Sequence, residues 1–248
     1  MIRALAWLAA AFVLAGCAPS NDGSYQGWVE AEQVFVSPHE VGRIEALKVR
    51  EGDSVKTGDE LFTLDDDLQV ADLKQAEASL TNARQAFDRA QVLLKTASGT
   101  QKTYEDAEST MRTAEARLNS SQTRLARRKV SSPATGVVQQ IYFRQGEMVP
   151  AGRPVLALLP PENIKLRFFL PETVVAKVAI GDSVNVSCDS CPSDLTARVS
   201  FIAQSAEFTP PVIYSQESRG KLVFMVEVAF PPEVAAKLHP GQPVDVSF

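Results

Sequence analysis

The chain is 248 residues long with a formal net charge of −5, so it lacks the basic excess that nucleic-acid binders carry. Hydrophobic residues make up 45%, ordinary for a globular chain that buries a core, and the length allows one or two domains. The sequence holds no glycine-rich phosphate loop, no GxSxG turn and no paired metal-ligand histidines, so the expectation is of no enzyme, no catalytic or metal-binding residues and no cofactor.

Residues 1–17, MIRALAWLAAAFVLAGC, place Arg3 before an apolar run from Ala4 to Ala15. About twelve residues at ~1.5 Å each reach roughly 18 Å, short of a ~30 Å bilayer core. The run therefore reads as the apolar region of a signal peptide. It ends in Leu14-Ala15-Gly16-Cys17, which looks like a bacterial lipobox and makes Cys17 the expected lipid anchor. The plainer reading is secretion with Cys17 incidental. Residues 18–26, APSNDGSYQ, read as a flexible polar tether.

A phrase then occurs twice, REGDSVKTG at 50–58 and RQGEMVPAG at 144–152. Laid over one another without gaps, Gly42, Arg50, Gly52, Val55, Gly58 and Leu64 meet Gly136, Arg144, Gly146, Val149, Gly152 and Leu158. Ile44, Leu47, Leu61 and Phe62 meet Val138, Ile141, Val155 and Leu156. Alternating apolar residues with Gly at fixed places predict short strands and tight turns. Neither copy can bury a face alone, so the two are expected to form one small sandwich from 27–65 and 130–160.

The residues between, 66–129, contain no Pro and a single Gly, Gly99. Leu73, Leu80, Phe87 and Leu94 recur every heptad, and Ala76, Ala83, Ala90 and Ala97 follow three places later. Tyr104, Met111, Leu118 and Leu125, with Ala107, Ala114 and Ser121, repeat the scheme. The pattern predicts two antiparallel helices in a coiled-coil hairpin, reversing at Gly99. Asp65, Asp66 and Asp67 at its start, and Arg124, Arg127, Arg128 and Lys129 at its end, complement the helix dipoles. That helix-end role is preferred over a basic binding patch.

From residue 161 to 248 short alternating strands return: IKLRFFLP, then a helix opened by Pro171, then GDSVNVSC, LTARVSFIA, KLVFMVEVAF and HPGQPVDVSF. They predict a small β-barrel. The fold class is thus α+β, mostly β. Cys188 and Cys191 form a CxxC inside VSCDSCPSD, where a hairpin turn is expected. A disulfide leads in an oxidising compartment, with free thiols and a metal site as alternatives.

GRIEALKVREGDSVKTGDELFTLDDD and GVVQQIYFRQGEMVPAGRPVLALLP resemble the two halves of a biotinyl/lipoyl-type domain. A carrier presents its lysine on the hairpin between the halves, and here the long insert occupies that place. Split lipoyl halves around a helical hairpin, behind a lipobox, resemble the HlyD-type periplasmic adaptors, or membrane fusion proteins. IGDSVNVS and PGQPVDVS (180–187 and 240–247) look like that family's paired barrel strands, and AEFTPPVIYSQESRGKLVFMVEV resembles the short adaptors of ABC-type exporters. The resemblance implies a subunit linking an inner-membrane transporter to a TolC-type outer-membrane duct, assembled as a homo-oligomeric ring. It implies a periplasmic, membrane-anchored lipoprotein. The inner membrane is favoured, although Ala18 stands where an Asp commonly retains lipoproteins there. Duct-docking members carry Arg, then Leu four residues on, then Ser seven further. Arg89, Leu93 and Thr100 match that spacing, with Thr keeping the hydroxyl. The alternatives are a periplasmic scaffold lipoprotein without a transporter and a lipoyl or biotinyl carrier subunit.

Overall fold

The computed structural model describes residues 23–189, 191, 195–208 and 222–248. Cys17 and the signal region lie outside them. The chain forms two compact units, one of residues up to Ala31 together with Glu162–Phe248, the other of Glu32–Pro161.

The second unit holds β2 (Val34–Val36), β3 (Gly42–Leu47), β4 (Ser54–Val55), β5 (Glu60–Leu64), β6 (Lys129–Ser131), β7 (Gly136–Ile141), β8 (Met148–Val149) and β9 (Leu156–Leu159). They form two four-stranded sheets, β2-β9-β7-β4 and β6-β5-β3-β8. The copies of the repeat are interlocked. Gly42 pairs with Val149, and Gly136 pairs with Val55. Each sheet thus has two central strands from one half of the unit and both edge strands from the other half. The repeated turn explains the repeated phrase. The Gly52 N–H donates to the Val138 carbonyl and the Gly146 N–H to the Ile44 carbonyl, both at 2.8 Å. Both glycines adopt φ +91°, a backbone region that side chains disfavour. Asp53 accepts from the Arg50 N–H and Glu147 from the Arg144 N–H, each at 2.8 Å, so an acid follows each glycine. Ile44, Leu61, Phe62, Leu64, Val138, Val149, Val155, Leu156 and Leu158 are buried between the sheets.

Two long helices leave this sandwich between β5 and β6: α1 (Asp67–Lys95) and α2 (Gln101–Ala126). At ~1.5 Å per residue α1 is about 44 Å long. The helices pack along their length. Ala76, Ala83 and Ala90 are buried in the seam, and the Phe87 and Tyr104 rings stand 5.3 Å apart. The large heptad residues, Leu73, Leu80, Phe87 and Leu94 on α1 and Tyr104, Met111, Leu118 and Leu125 on α2, are half-buried. Two helices alone have only one mutual face, so small residues vanish into it while large ones flank it. The helices also end earlier than 129: Lys129 opens β6, which pairs with β5.

The first unit is a barrel of β1 (Tyr25–Ala31), β10 (Ile164–Pro171), β11 (Ser183–Ser187), β12 (Leu195–Ile202), β14 (Leu222–Ala229) and β15 (Pro243–Ser247). Their order, β10-β1-β15-β11-β12-β14, closes through pairing of β14 with β10, and β13 (Glu207–Phe208) adds at β14. Short helices α3 (Glu172–Val175) and α4 (Pro232–Ala235) precede β11 and β15. The barrel is also a repeat, with PETVVAKVAIGDSVNVS matching PPEVAAKLHPGQPVDVS and β11 pairing with β15.

One boundary moves. The sequence pattern groups residues 27–31 with the first sandwich half, and Tyr25 and Gln26 with the tether. Instead Tyr25–Ala31 is a barrel strand held between β10 and β15. Alternation shows that such a segment is a strand without showing which sheet receives it.

Candidate docking site at the helical turn

The turn between α1 and α2 is built around one carbonyl. The Ser98 and Gly99 N–H groups donate to the Leu93 carbonyl at 2.9 and 3.0 Å, and the Thr96 hydroxyl lies within 3.2 Å of it. The chain reverses through Ala97, whose φ is +53°. The sequence had pointed to Gly99 for this role. Gly99 instead stands where space is tight: a Cβ there would sit 3.1 Å from the Leu93 Cβ, so Leu93 would have to shift by a few tenths of an ångström.

Fixing the Leu93 backbone leaves its side chain outward. Leu93 is 46% exposed and Val92 57%. Asp88, Arg89, Val92 and Leu93 line one shallow apolar depression. Arg89 lies one helical turn before Leu93, so a cation flanks the apolar contact. Thr100 is used differently from its expected role. Its hydroxyl oxygen accepts from the Thr103 N–H at 3.1 Å and lies 2.7 Å from the Thr103 hydroxyl, capping α2. The structure thus brings Arg89 and Leu93 together on α1 and places Thr100 at the start of α2 as a helix cap. The arrangement offers an apolar contact beside a guanidinium and no group placed for catalysis.

Cys188 and Cys191 are joined through their sulfurs, with Cα atoms 5.2 Å apart. The Gln242 amide donates to the Cys188 sulfur at 2.9 Å. Among the described residues no cluster of His, Cys, Asp and Glu is arranged to hold a metal. No helix among them is long and apolar enough to cross a membrane.

Two charged sites escaped the sequence reading. Arg128 is not a solvated helix-end cation. It is buried, donating to the Val41 carbonyl at 3.0 Å and pairing with Glu40 at 3.1 Å, and so ties the base of the helices to the first sandwich half. In the barrel, Glu227 on β14 receives Arg167 at 2.9 Å and Lys165 at 3.0 Å from β10, and Arg167 also reaches Glu30 on β1 at 2.8 Å. Burial alone would push the Glu227 carboxyl up, but the hydrogen bonds from Arg167 and Lys165 together hold it below its ordinary value. The Arg167 guanidinium is raised chiefly by its bond to Glu227. Alternation in IKLRFFLP marks Lys165 and Arg167 as sharing a face, but nothing local names their partner.

Residues 32–159 match the family described as the RND MFP barrel-sandwich hybrid domain. A UPF0194 membrane protein of Acidithiobacillus ferridurans is 32% identical over 181 residues, covering 70% of this chain and 52% of that one. The chain spans about half the length of this relative and of an uncharacterised Haemophilus influenzae protein that is 25% identical over 208 residues. Among solved structures, the membrane fusion protein of Streptococcus pneumoniae is similar at TM-score 0.70 and 19% identity, covering 90% of this chain and 97% of that one. A MacA–MexA chimera containing the Pseudomonas aeruginosa MexA α-hairpin domain is similar at TM-score 0.72 and 20% identity, covering 90% and 76%. At such identities the solved structures speak to the fold.

Proposed function

We propose a function from one premise: the chain belongs to the membrane fusion protein family, through its barrel-sandwich hybrid domain. A membrane fusion adaptor works by holding partners together. In our reading the protein is the periplasmic adaptor of a tripartite export system. It joins an inner-membrane transporter, of the ABC type, to a TolC-type outer-membrane duct. Cys17 carries the acyl anchor, copies of the chain assemble as a ring, and α1 and α2 form a coiled-coil hairpin whose turn docks on the duct.

The observation that carries this reading is the turn itself. A long helical pair ends in Val92 and Leu93, held outward by a backbone fixed through the Leu93 carbonyl, with Arg89 one helical turn away. Large apolar side chains on an ordered, exposed turn are the kind of anchor that interface cores use. The test is export of the transporter's substrate from cells in which deleting the protein abolishes export. Leu93→Ser and Arg89→Asp are each expected to lower export at least about tenfold with unchanged thermal unfolding, the loss typical of a binding hot spot. Full export by both variants would remove the docking contact. Full export after replacing residues 89–100 by a neutral helical turn would remove duct docking altogether.

A further inference from the structure

One end of the barrel shows apolar side chains that its interior does not use. β1, β11 and β14 run antiparallel to β10, β12 and β15. The starts of the first three strands and the ends of the second three therefore share one end. There Ile180 tops the turn before β11 and is 68% exposed. The polar groups of this turn bond to one another and to β12. Asp182 accepts from the Ala179 N–H at 2.8 Å, the Gly181 N–H donates to the Val199 carbonyl, and the Val199 N–H to the Asp182 carbonyl. Phe201, two residues beyond Val199 on β12, is 45% exposed. Phe248 stands 6.2 Å from the ring of Tyr25, at the start of β1.

The barrel's own repeat supplies a comparison. The turn before β15 makes the same bonds: Gln242 accepts from the His239 N–H, the Gly241 N–H donates to the Val29 carbonyl, and the Val29 N–H to the Gln242 carbonyl. By strand direction this turn lies at the opposite end. It carries His239 and Pro240 where the first turn carries Ala179 and Ile180. The turn geometry does not require an apolar tip, so Ile180 answers to something outside the barrel.

Chain length says what that is. Cys17 precedes Tyr25 by eight residues, and eight extended residues span at most about 29 Å. An acylated Cys17 therefore keeps this end of the barrel within reach of the bilayer surface, and this step rests on the lipoprotein reading above. We propose that this end is a lipid-contact surface, with Ile180 and Phe201 seated in the interface of the membrane that holds the anchor. Glu172 and Asp182 beside the tip are balanced by Lys177 and by Arg198, which donates to the Gly181 carbonyl at 3.3 Å, so there is no net pull towards anionic headgroups and the contact is apolar in character. It supplies a second attachment and fixes which way the barrel faces, as one lipid chain alone does not.

The test uses the full acylated chain reconstituted in phosphatidylethanolamine–phosphatidylglycerol vesicles. An environment-sensitive fluorophore is attached at Ile180→Cys or, for comparison, Pro240→Cys, without reduction of Cys188 and Cys191. Quenching by doxyl-labelled lipid is expected to be at least about threefold stronger at 180 than at 240, with a blue-shifted emission, and to fall when Phe201→Asp is added. Equal, water-like emission at both sites, on protein whose Cys17 is acylated by mass spectrometry, overturns the lipid contact and leaves the anchor intact. Protection of site 180 only when a transporter is added overturns it in favour of a protein contact. An unmodified Cys17 on protein that does not float with vesicles removes the lipoprotein reading and this contact with it.

Discussion

Gly52 and Gly146 occupy one position in two copies of a turn, with the same φ and equivalent carbonyl partners, Val138 and Ile44, across the sandwich. No heavy atom lies near where a Cβ would sit on either, so Gly52→Ala and Gly146→Ala should each cost only backbone strain. Equal losses of about 1–2 kcal/mol are expected in urea unfolding. Unequal losses would show that the copies carry different loads. Ala97→Gly should act in the opposite sense, because a non-glycine residue there already bears the positive φ. A gain of up to about 1 kcal/mol is expected. Glu227 gives a pH prediction. Its folded carboxyl is held below its unfolded value, so its stabilisation is present above the unfolded range and lost as pH falls through the folded value. Glu227→Gln should therefore lower the melting temperature at pH 7, and the difference from wild type should shrink as pH falls below the ordinary carboxylate range and the wild-type carboxyl is itself protonated. The glycines were legible because a repeated phrase fixes a repeated turn. Arg128 and Glu227 were not, because their partners lie far away in sequence and ordinary composition hides them.

The heptad pattern showed which residues of α1 and α2 face one another, and the least exposed residues fall on that pattern. It did not show how deeply they are buried. Leu80 reads as a core position in sequence, where a large-to-small change costs roughly 2–5 kcal/mol. In the structure it is half-buried, so Leu80→Ser should cost less, about 1–2 kcal/mol. Ala83 is buried between the helices, and Ala83→Leu should wedge them apart at a cost of about 1–3 kcal/mol. Circular dichroism melts at 222 nm would rank the two. If Leu80→Ser proves the more damaging, the seam is shielded in solution by something beyond these two helices. Strand β1 was the element that sequence placed wrongly. Its alternation continues into β2 almost without a break, and only the pairing partners reveal that Ala31 is where the chain changes units.

At the scale of the molecule, the barrel unit is discontinuous: the chain leaves it after Ala31 and returns at Glu162. β1 fills the gap between β10 and β15. A fragment of residues 32–161 should fold alone, because both sheets and both helices lie within it. A fragment of 162–248 should not, because it leaves β10 and β15 as open edges around an unfilled slot. Adding a synthetic peptide of residues 23–33 should restore dispersed amide proton signals. A well-folded 162–248 fragment would show that β1 is dispensable to the barrel. Membrane attachment is a separate matter: Cys17→Ser should move the protein from the membrane to the soluble fraction after washing.

The interlocked sheets also set an order of events for a chain that emerges from its amino end. β3 and β5 appear first, but their sheet needs β6 and β8, which lie beyond α2 in sequence. The first half must wait, with unpaired edges, until about three fifths of the chain has been delivered. The helices shorten that wait. Their contacts are local and form on the fast timescale of helix zipping, and closing them carries β6 to β5 without a search by a free loop. Because α1 and α2 run out and back from one place, the distance between their bases does not depend on how far they run. Their length is therefore free to drift by whole pairs of heptads while the sandwich still closes in the same way, and a change of reach costs the rest of the protein nothing in assembly.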